Sequence, residues 1–195
     1  SARKHDIGAF AEFALPVASA VTVTAGGRLN AVRSVNVGGY FGDRTVSHRA
    51  ASGQVAVALR PASGLTLTAQ ASRGFRDPTL SDRFYRGPVG RGFIVGNPDL
   101  DPERSVQLDV TARYVRHRWQ AGASYYHYDI SDLIERYQAT ADTFLFRNRG
   151  LAEIRGVELE ATVDLAGGVA LGITGQAVQG RAHENESALD DVPPR

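Results

Sequence analysis

Between Arg83 and Asn97 the chain gathers three guanidinium groups, Arg83, Arg86 and Arg91, with Tyr85 and Phe93 and no acidic residue. Guanidinium forks pair with anionic oxygens and stack on aromatic faces, so this grouping suits an anionic, partly aromatic ligand. Asp77, Asp82, Asp99, Asp101 and Glu103 flank it and offset much of the charge, and the same residues could instead pack on neighbouring loops. Next comes Asn97-Pro98-Asp99-Leu100-Asp101-Pro102-Glu103, whose clustered oxygens invite a calcium reading. Against it, Pro98 and Pro102 fix φ, and Asn97 and Asp101 precede proline and are held extended. The motif then reads as a device that docks a loop on the rim of a sheet. The five histidines, His5, His48, His117, His127 and His183, show no metal-ligand spacing. Neither a Gly-x-Ser-x-Gly elbow nor a phosphate-cradling Gly-rich loop is present, so no residue is assigned to catalysis, metal or cofactor.

The elements that would position these residues are strands. In Leu65–Ser72 every odd residue is apolar and every even one polar. Val106, Leu108, Val110, Ala112 and Tyr114 repeat the pattern, as do Val157, Leu159, Ala161 and Val163, and Val169, Leu171 and Ile173. A period of two marks a sheet with one apolar and one wet face; around a helix the same residues would scatter. In these strands the apolar face carries no charge, and Asp109, Arg113, Glu158 and Glu160 fall on the other.

Short turns are expected near Pro16, Pro61–Gly64, Arg116–Arg118 and Ala166–Gly168. Long stretches are expected at Asn30–Ser47, Gly74–Glu103, Asp132–Thr143 and from Gln179 onward. Short and long connections in alternation predict an all-β fold, an up-and-down antiparallel meander of about eight strands. Tyr125, Tyr126 and Tyr128 read as an aromatic girdle where a strand leaves the apolar zone, and Trp119 as an interfacial aromatic beside a short turn. Gly156 reads as a point of close packing or a bulge.

Bulk properties narrow the class. The chain has 195 residues, with 22 basic and 21 acidic side chains. That balance lacks the basic signature of a nucleic-acid partner. No cysteine is present, which excludes disulfides and thiolate sites. No apolar run nears the roughly 18 residues of a membrane helix, but barrel strands hide half their residues from lipid. Ser1–Asp6 is polar and basic without an apolar stretch behind it, so an exported protein of this kind is expected to carry its leader elsewhere.

Three phrases carry a family resemblance. Arg73–Phe84 (RGFRDPTLSDRF) and Gly96–Ser105 (GNPDLDPERS) resemble, in this order, the late barrel of TonB-dependent outer-membrane receptors. Asn148–Ala161 (NRGLAEIRGVELEA) resembles a later strand of that family, and Leu189–Arg195 (LDDVPPR) a loop before another strand. Asp77 and Ser81–Phe84 depart from the usual wording. The resemblance makes Phe75, Pro78, Asn97, Pro98, Leu100, Pro102, Glu103, Asn148, Gly150, Gly156 and Glu158 structural motif residues. It implies that residues 1–195 are part of a transmembrane β-barrel of about 22 strands in the bacterial outer membrane. No plug domain, coupling box or closing strand is present in this sequence. The implied function is import of a scarce bulky nutrient, most often a ferric siderophore, with this part supplying wall and outer loops. The implied partners are outer-membrane lipid, the protein's own plug and remaining strands, the TonB complex acting through that plug, and the ligand. A passive porin-like barrel and a soluble all-β binding module are the alternatives.

Overall fold

The computed structural model describes residues 1–90 and 92–182. Arg91, His183 and the Leu189–Arg195 phrase lie outside the described residues. Eight long strands form one antiparallel sheet in the order β1 (Ala2–Ala18), β2 (Val21–Asn36), β3 (Arg44–Ala62), β4 (Leu65–Arg76), β7 (Glu103–Arg116), β8 (Trp119–Ser131), β11 (Ala152–Asp164) and β12 (Ala170–Ala182). Each strand pairs with the next along the chain, except where an excursion is inserted. The first excursion, between β4 and β7, holds the short helix α1 (Leu80–Phe84) and strands β5 (Arg86–Val89) and β6 (Gly92–Val95). The second, between β8 and β11, holds β9 (Leu133–Thr140) and β10 (Thr143–Arg149). These four short strands make a separate sheet, β5-β6-β10-β9, in which β6 and β10 run parallel.

The meander and its eight long strands match the sequence reading, but the excursions differ from it. The Asn30–Ser47 connection is shorter than expected, because β2 reaches Asn36 and β3 starts at Arg44. Asp132–Thr143 is a strand and a hairpin turn instead of an open loop. Pro16 lies inside β1, at a register shift, and the turn follows Ala18. Proline's missing N–H interrupts the ladder there, and the strand shifts register within two residues of its turn.

Register fixes the faces. Directly opposed residues share a face. The chain of partners Leu67, Ala112, Ala123 and Leu159, and the parallel chain Ala71, Leu108, place the apolar sets of all strands on one side. From Ile7 to Leu15 on β1, Val106 to Tyr114 on β7 and Val157 to Val163 on β11, that side carries no charged side chain. Eight residue steps cover about 27 Å of strand, or about 20 Å of height at a barrel tilt of about 40°, close to the roughly 25 Å apolar band of a membrane barrel. Among the described residues nothing covers this side. Phe13 is 62 % exposed, Leu159 56 % and Ile173 72 %. The opposite side is polar, with Glu12, Gln54, Gln70, Asp109, Arg113, Glu158 and Glu160.

The tyrosine girdle is split by the same register. Tyr125 lies on the apolar side opposite Val110 and Val157. Tyr126 and Tyr128 turn to the polar side and stack on each other, and the Tyr128 hydroxyl donates to Asp109 at 3.1 Å. Pairing continues through Ser131, but the apolar phase ends before it: His127 and Asp129 fall on the apolar side and Ile130 on the polar side. Trp119 stands on the apolar side next to the tight turn at His117, which takes φ 53°.

Among the described residues, the buried apolar side chains are Val32, Ile94, Leu100, Ala152 and Ala182. All sit at the end of the sheet that carries the two excursions. The molecule therefore has a small protein-like core at its loop end and an uncovered apolar belt below it. Among the described residues no helix is long and apolar enough to cross a membrane, which says nothing of a β-barrel.

Candidate functional site

The loop end is built from α1 outward. Pro78 ends the extended stretch, and Thr79 caps α1: its Oγ1 accepts the Asp82 amide at 3.1 Å, while Asp82 Oδ2 accepts the Thr79 amide at 2.9 Å. This reciprocal cap fixes the orientation of a helix too short to hold itself. It aims Arg83 inward. The Arg83 side chain has 0 % exposure, donates to the Pro98 carbonyl at 2.7 Å, and lies 3.3 Å from His48 Nδ1 and 3.6 Å from Asp77 Oδ1. Lys4 completes the cluster, with Nζ 2.7 Å from Asp77 Oδ2 and donating to the Pro78 carbonyl at 3.1 Å. Burial lowers the Arg83 pKa from its ordinary value, while Asp77, Asp101 and Asp82 pull it upward. Arg83, a candidate ligand contact from sequence, thus has no surface to offer a ligand. Instead it joins β1, β3 and the two halves of the first excursion. Asp77, the residue that departs from the family wording, is the counter-charge at its centre.

The returning chain lies on α1. Gly96 donates to the Tyr85 carbonyl at 2.7 Å and Asn97 to the Asp82 carbonyl at 2.8 Å. A Cβ on Gly96 would come within 2.7 Å of the Arg83 backbone. Gly96→Ala is expected to lower stability of this loop by about 1–3 kcal/mol through overpacking, read as faster amide exchange at Arg83–Asn97.

The Asn-Pro and Pro-Glu residues have the docking role. Asn97 Oδ1 accepts the Asp99 amide at 3.0 Å, and Nδ2 donates to the Phe146 carbonyl at 3.1 Å. Asn148 exchanges two hydrogen bonds with the Asp101 backbone, at 2.8 and 3.0 Å, and donates to the Asp132 carbonyl. Glu103 accepts from Arg76 at 2.8 Å and from the Ile134 amide at 3.0 Å. The Asn97 and Glu103 side-chain oxygens and the Asp101 carbonyl are taken up by these bonds. Leu100, Pro78 and Pro102 are buried beneath them, and Pro98 and Phe75 are half-buried. Gly150 sits in the bend between β10 and β11. Gly156 shows no bulge; the Tyr126 ring lies over it, in space a Cβ would fill. Glu158 stays exposed on the polar side.

Above this clamp lies a cluster suited to recognition. Arg86 is exposed, and its guanidinium lies over the Tyr40 ring at 4.3 Å and the Phe93 ring at 5.1 Å. Tyr40, 67 % exposed, meets Phe41 edge to face at 5.0 Å, and Phe41 contacts Phe84 at 6.1 Å. Tyr85 is turned aside, its hydroxyl donating to the Pro88 carbonyl at 3.0 Å. Of the five loop candidates the structure brings Arg86 and Phe93 together, sets Tyr85 beside them and removes Arg83. Sequence reading missed Tyr40 and Phe41; an aromatic pair inside the glycine-rich Gly38–Gly42 connection was the available signal. A second set of guanidinium–ring contacts, Arg147 over Tyr137 at 4.4 Å and Arg136 over Phe144 at 5.5 Å, lines the β9–β10 hairpin.

A family model described as "TonB dependent receptor-like, beta-barrel" matches residues 1–195. No curated protein sequence matches the chain. Among solved structures, a "Copper transporter OprC" is similar over 99 % of this chain and 31 % of its own, at 26 % identity and TM-score 0.86. The FrpB iron transporter from Neisseria meningitidis (F3-3 variant) is similar over 96 % and 28 %, at 20 % identity and TM-score 0.70. The Serratia marcescens hemophore receptor HasR, solved with its hemophore HasA and heme, is similar over 90 % and 34 %, at 18 % identity and TM-score 0.76. The chain spans about a third of the length of these proteins.

Proposed function

Because the chain belongs to the TonB-dependent receptor β-barrel family, whose members are outer-membrane transporters and not enzymes, we propose that it forms wall and outer loops of a bacterial outer-membrane importer for a ferric siderophore. Its eight long strands lie in the barrel wall with the charge-free side against lipid and the polar side toward the lumen. The two excursions face the outside, where this barrel class carries its longer loops. A plug and further strands elsewhere in the full protein complete the pore, and a TonB complex acts on that plug.

One observation carries the choice of ligand class. Arg86 between Tyr40 and Phe93 presents a cation and two ring faces from two separate loops. Such a set recognises an anionic, partly aromatic chelate better than a bare cation. The test is uptake of radiolabelled iron by cells whose only receptor is the full-length protein. Ferric catecholate and hydroxamate chelates are supplied, with heme and ionic copper as competitors. Uptake of a ferric chelate that stops when the proton-motive force is collapsed is the expected result. Uptake of copper or heme alone, or uptake indifferent to energy, would reject the reading. In the same cells Arg86→Ala is expected to weaken chelate binding by roughly 3- to 30-fold, the worth of a partly desolvated cation–π contact of about 0.7–2 kcal/mol.

A further inference from the structure

The lipid-side face of β1–β3 carries three arginines and a histidine at the loop end. His5 is directly opposite Arg33, and Arg49 lies on the next strand one pleat below, opposite Ala31. Arg3 stands one pleat above His5. All four are exposed. Direct cross-strand partners have Cβ atoms about 5 Å apart, and diagonal ones sit about 7–8 Å apart, so these side chains share one patch. No acidic side chain lies among them. Asp6 is on the opposite face, bonded to Asn30, and Asp43 accepts the Gly38 amide.

Lys4, Arg76, Arg83, Arg147 and Arg149 all have a carboxylate within 4.0 Å. Among the described residues, Arg3, Arg33 and Arg49 have none. Directly beneath them the uncovered apolar belt begins, with Ile7 77 % and Leu29 68 % exposed. A cationic patch joined to an apolar surface of this orientation is complementary to one kind of molecule, an amphiphile with a phosphorylated head and acyl chains.

We infer that Arg3, His5, Arg33 and Arg49 form a binding site for a phosphorylated lipid of the outer leaflet, its phosphates on the guanidiniums and its chains along Ile7, Leu29 and Phe13. The site rests on the membrane reading above, which a lipid-facing substitution at Leu159 tests on its own. It makes no contact with the ligand cluster at Arg86.

The experiment uses the full-length receptor, purified in detergent and titrated with bis-phosphorylated lipid A by native mass spectrometry. Arg33→Gln combined with Arg49→Gln is expected to lower lipid affinity by about thirtyfold, roughly fivefold for each cation removed near an anionic surface. Arg33→Lys with Arg49→Lys keeps the charge and is expected to retain most of the binding. Lipid A stripped of its phosphates is expected to bind the native receptor as weakly as intact lipid binds the glutamine variant. Heat-dependent gel mobility shows that each variant is folded. Unchanged affinity in the glutamine variant, equal affinity for the dephosphorylated lipid, or displacement by inorganic phosphate at the same concentration as lipid would each overturn the site.

Discussion

Leu159→Arg in the full-length receptor is expected to lower barrel stability by about 2–4 kcal/mol, measured by reversible unfolding in lipid vesicles. Leu159 lies on the apolar side of β11 with Ala123 and Gly175 as cross-strand partners. On that strand the charge-free set runs from Val157 to Val163, and outward-facing Arg155 marks its upper limit. Leu159 therefore stands well inside the belt, where an arginine cannot reach water without deforming the bilayer. Val157 is one pleat from Arg155, so Val157→Arg can snorkel and is expected to cost only about 0–1 kcal/mol. The gradient between the two positions is the informative quantity. A water-exposed sheet would tolerate arginine equally at both, because neither side chain is buried by protein. The full-length receptor is required because β1 and β12 end the strand order, and backbone groups at a bare edge cannot remain unpaired in hydrocarbon.

The long strands were legible because lipid and lumen impose opposite requirements on alternate residues. Val106–Tyr114 and Val157–Val163 show the period of two without interruption, and both became uninterrupted strands. The excursions were not legible in the same way. Leu133–Thr140 and Thr143–Arg149 form strands against each other and against Phe93–Val95, so neither has a solvent-set period to reveal it. Their pairing is decided by side chains distant in sequence, such as Asn97 on Phe146 and Asn148 on Asp101. The docking role of Asn97–Glu103 was readable because proline restricts the backbone locally. The proposed recognition cluster was half readable in its geometry: Arg86 and Phe93 share one hairpin, whereas Tyr40 arrives from a connection some fifty residues earlier. Charge and ring character pointed to the residues, but not to which guanidinium would be buried and which left exposed.

Arg83 shows this most clearly, and Arg83→Ala is expected to destabilise the first excursion by about 3–5 kcal/mol, the cost of breaking a buried ion pair from one side. The native guanidinium serves the Pro98 carbonyl and the Asp77 and His48 side chains at once. Removal leaves the Pro98 carbonyl without its charged donor and Asp77 dependent on Lys4 and His48 in a site that stays dry. Arg83→Lys is not expected to rescue it, since a single ammonium cannot span partners that two guanidinium nitrogens hold in one plane. The long strands meet this cluster only through Lys4 and His48 and are held by their own ladders, so the barrel itself is expected to stay folded while residues 77–103 open. Limited proteolysis of intact cells should then cut the variant within that segment and spare the native protein. Chelate binding should fall as well, because Arg86 and Phe93 are carried on the loop that Arg83 fastens. A variant that resists protease but loses ligand would mean that Arg83 meets the chelate directly, against the burial seen here.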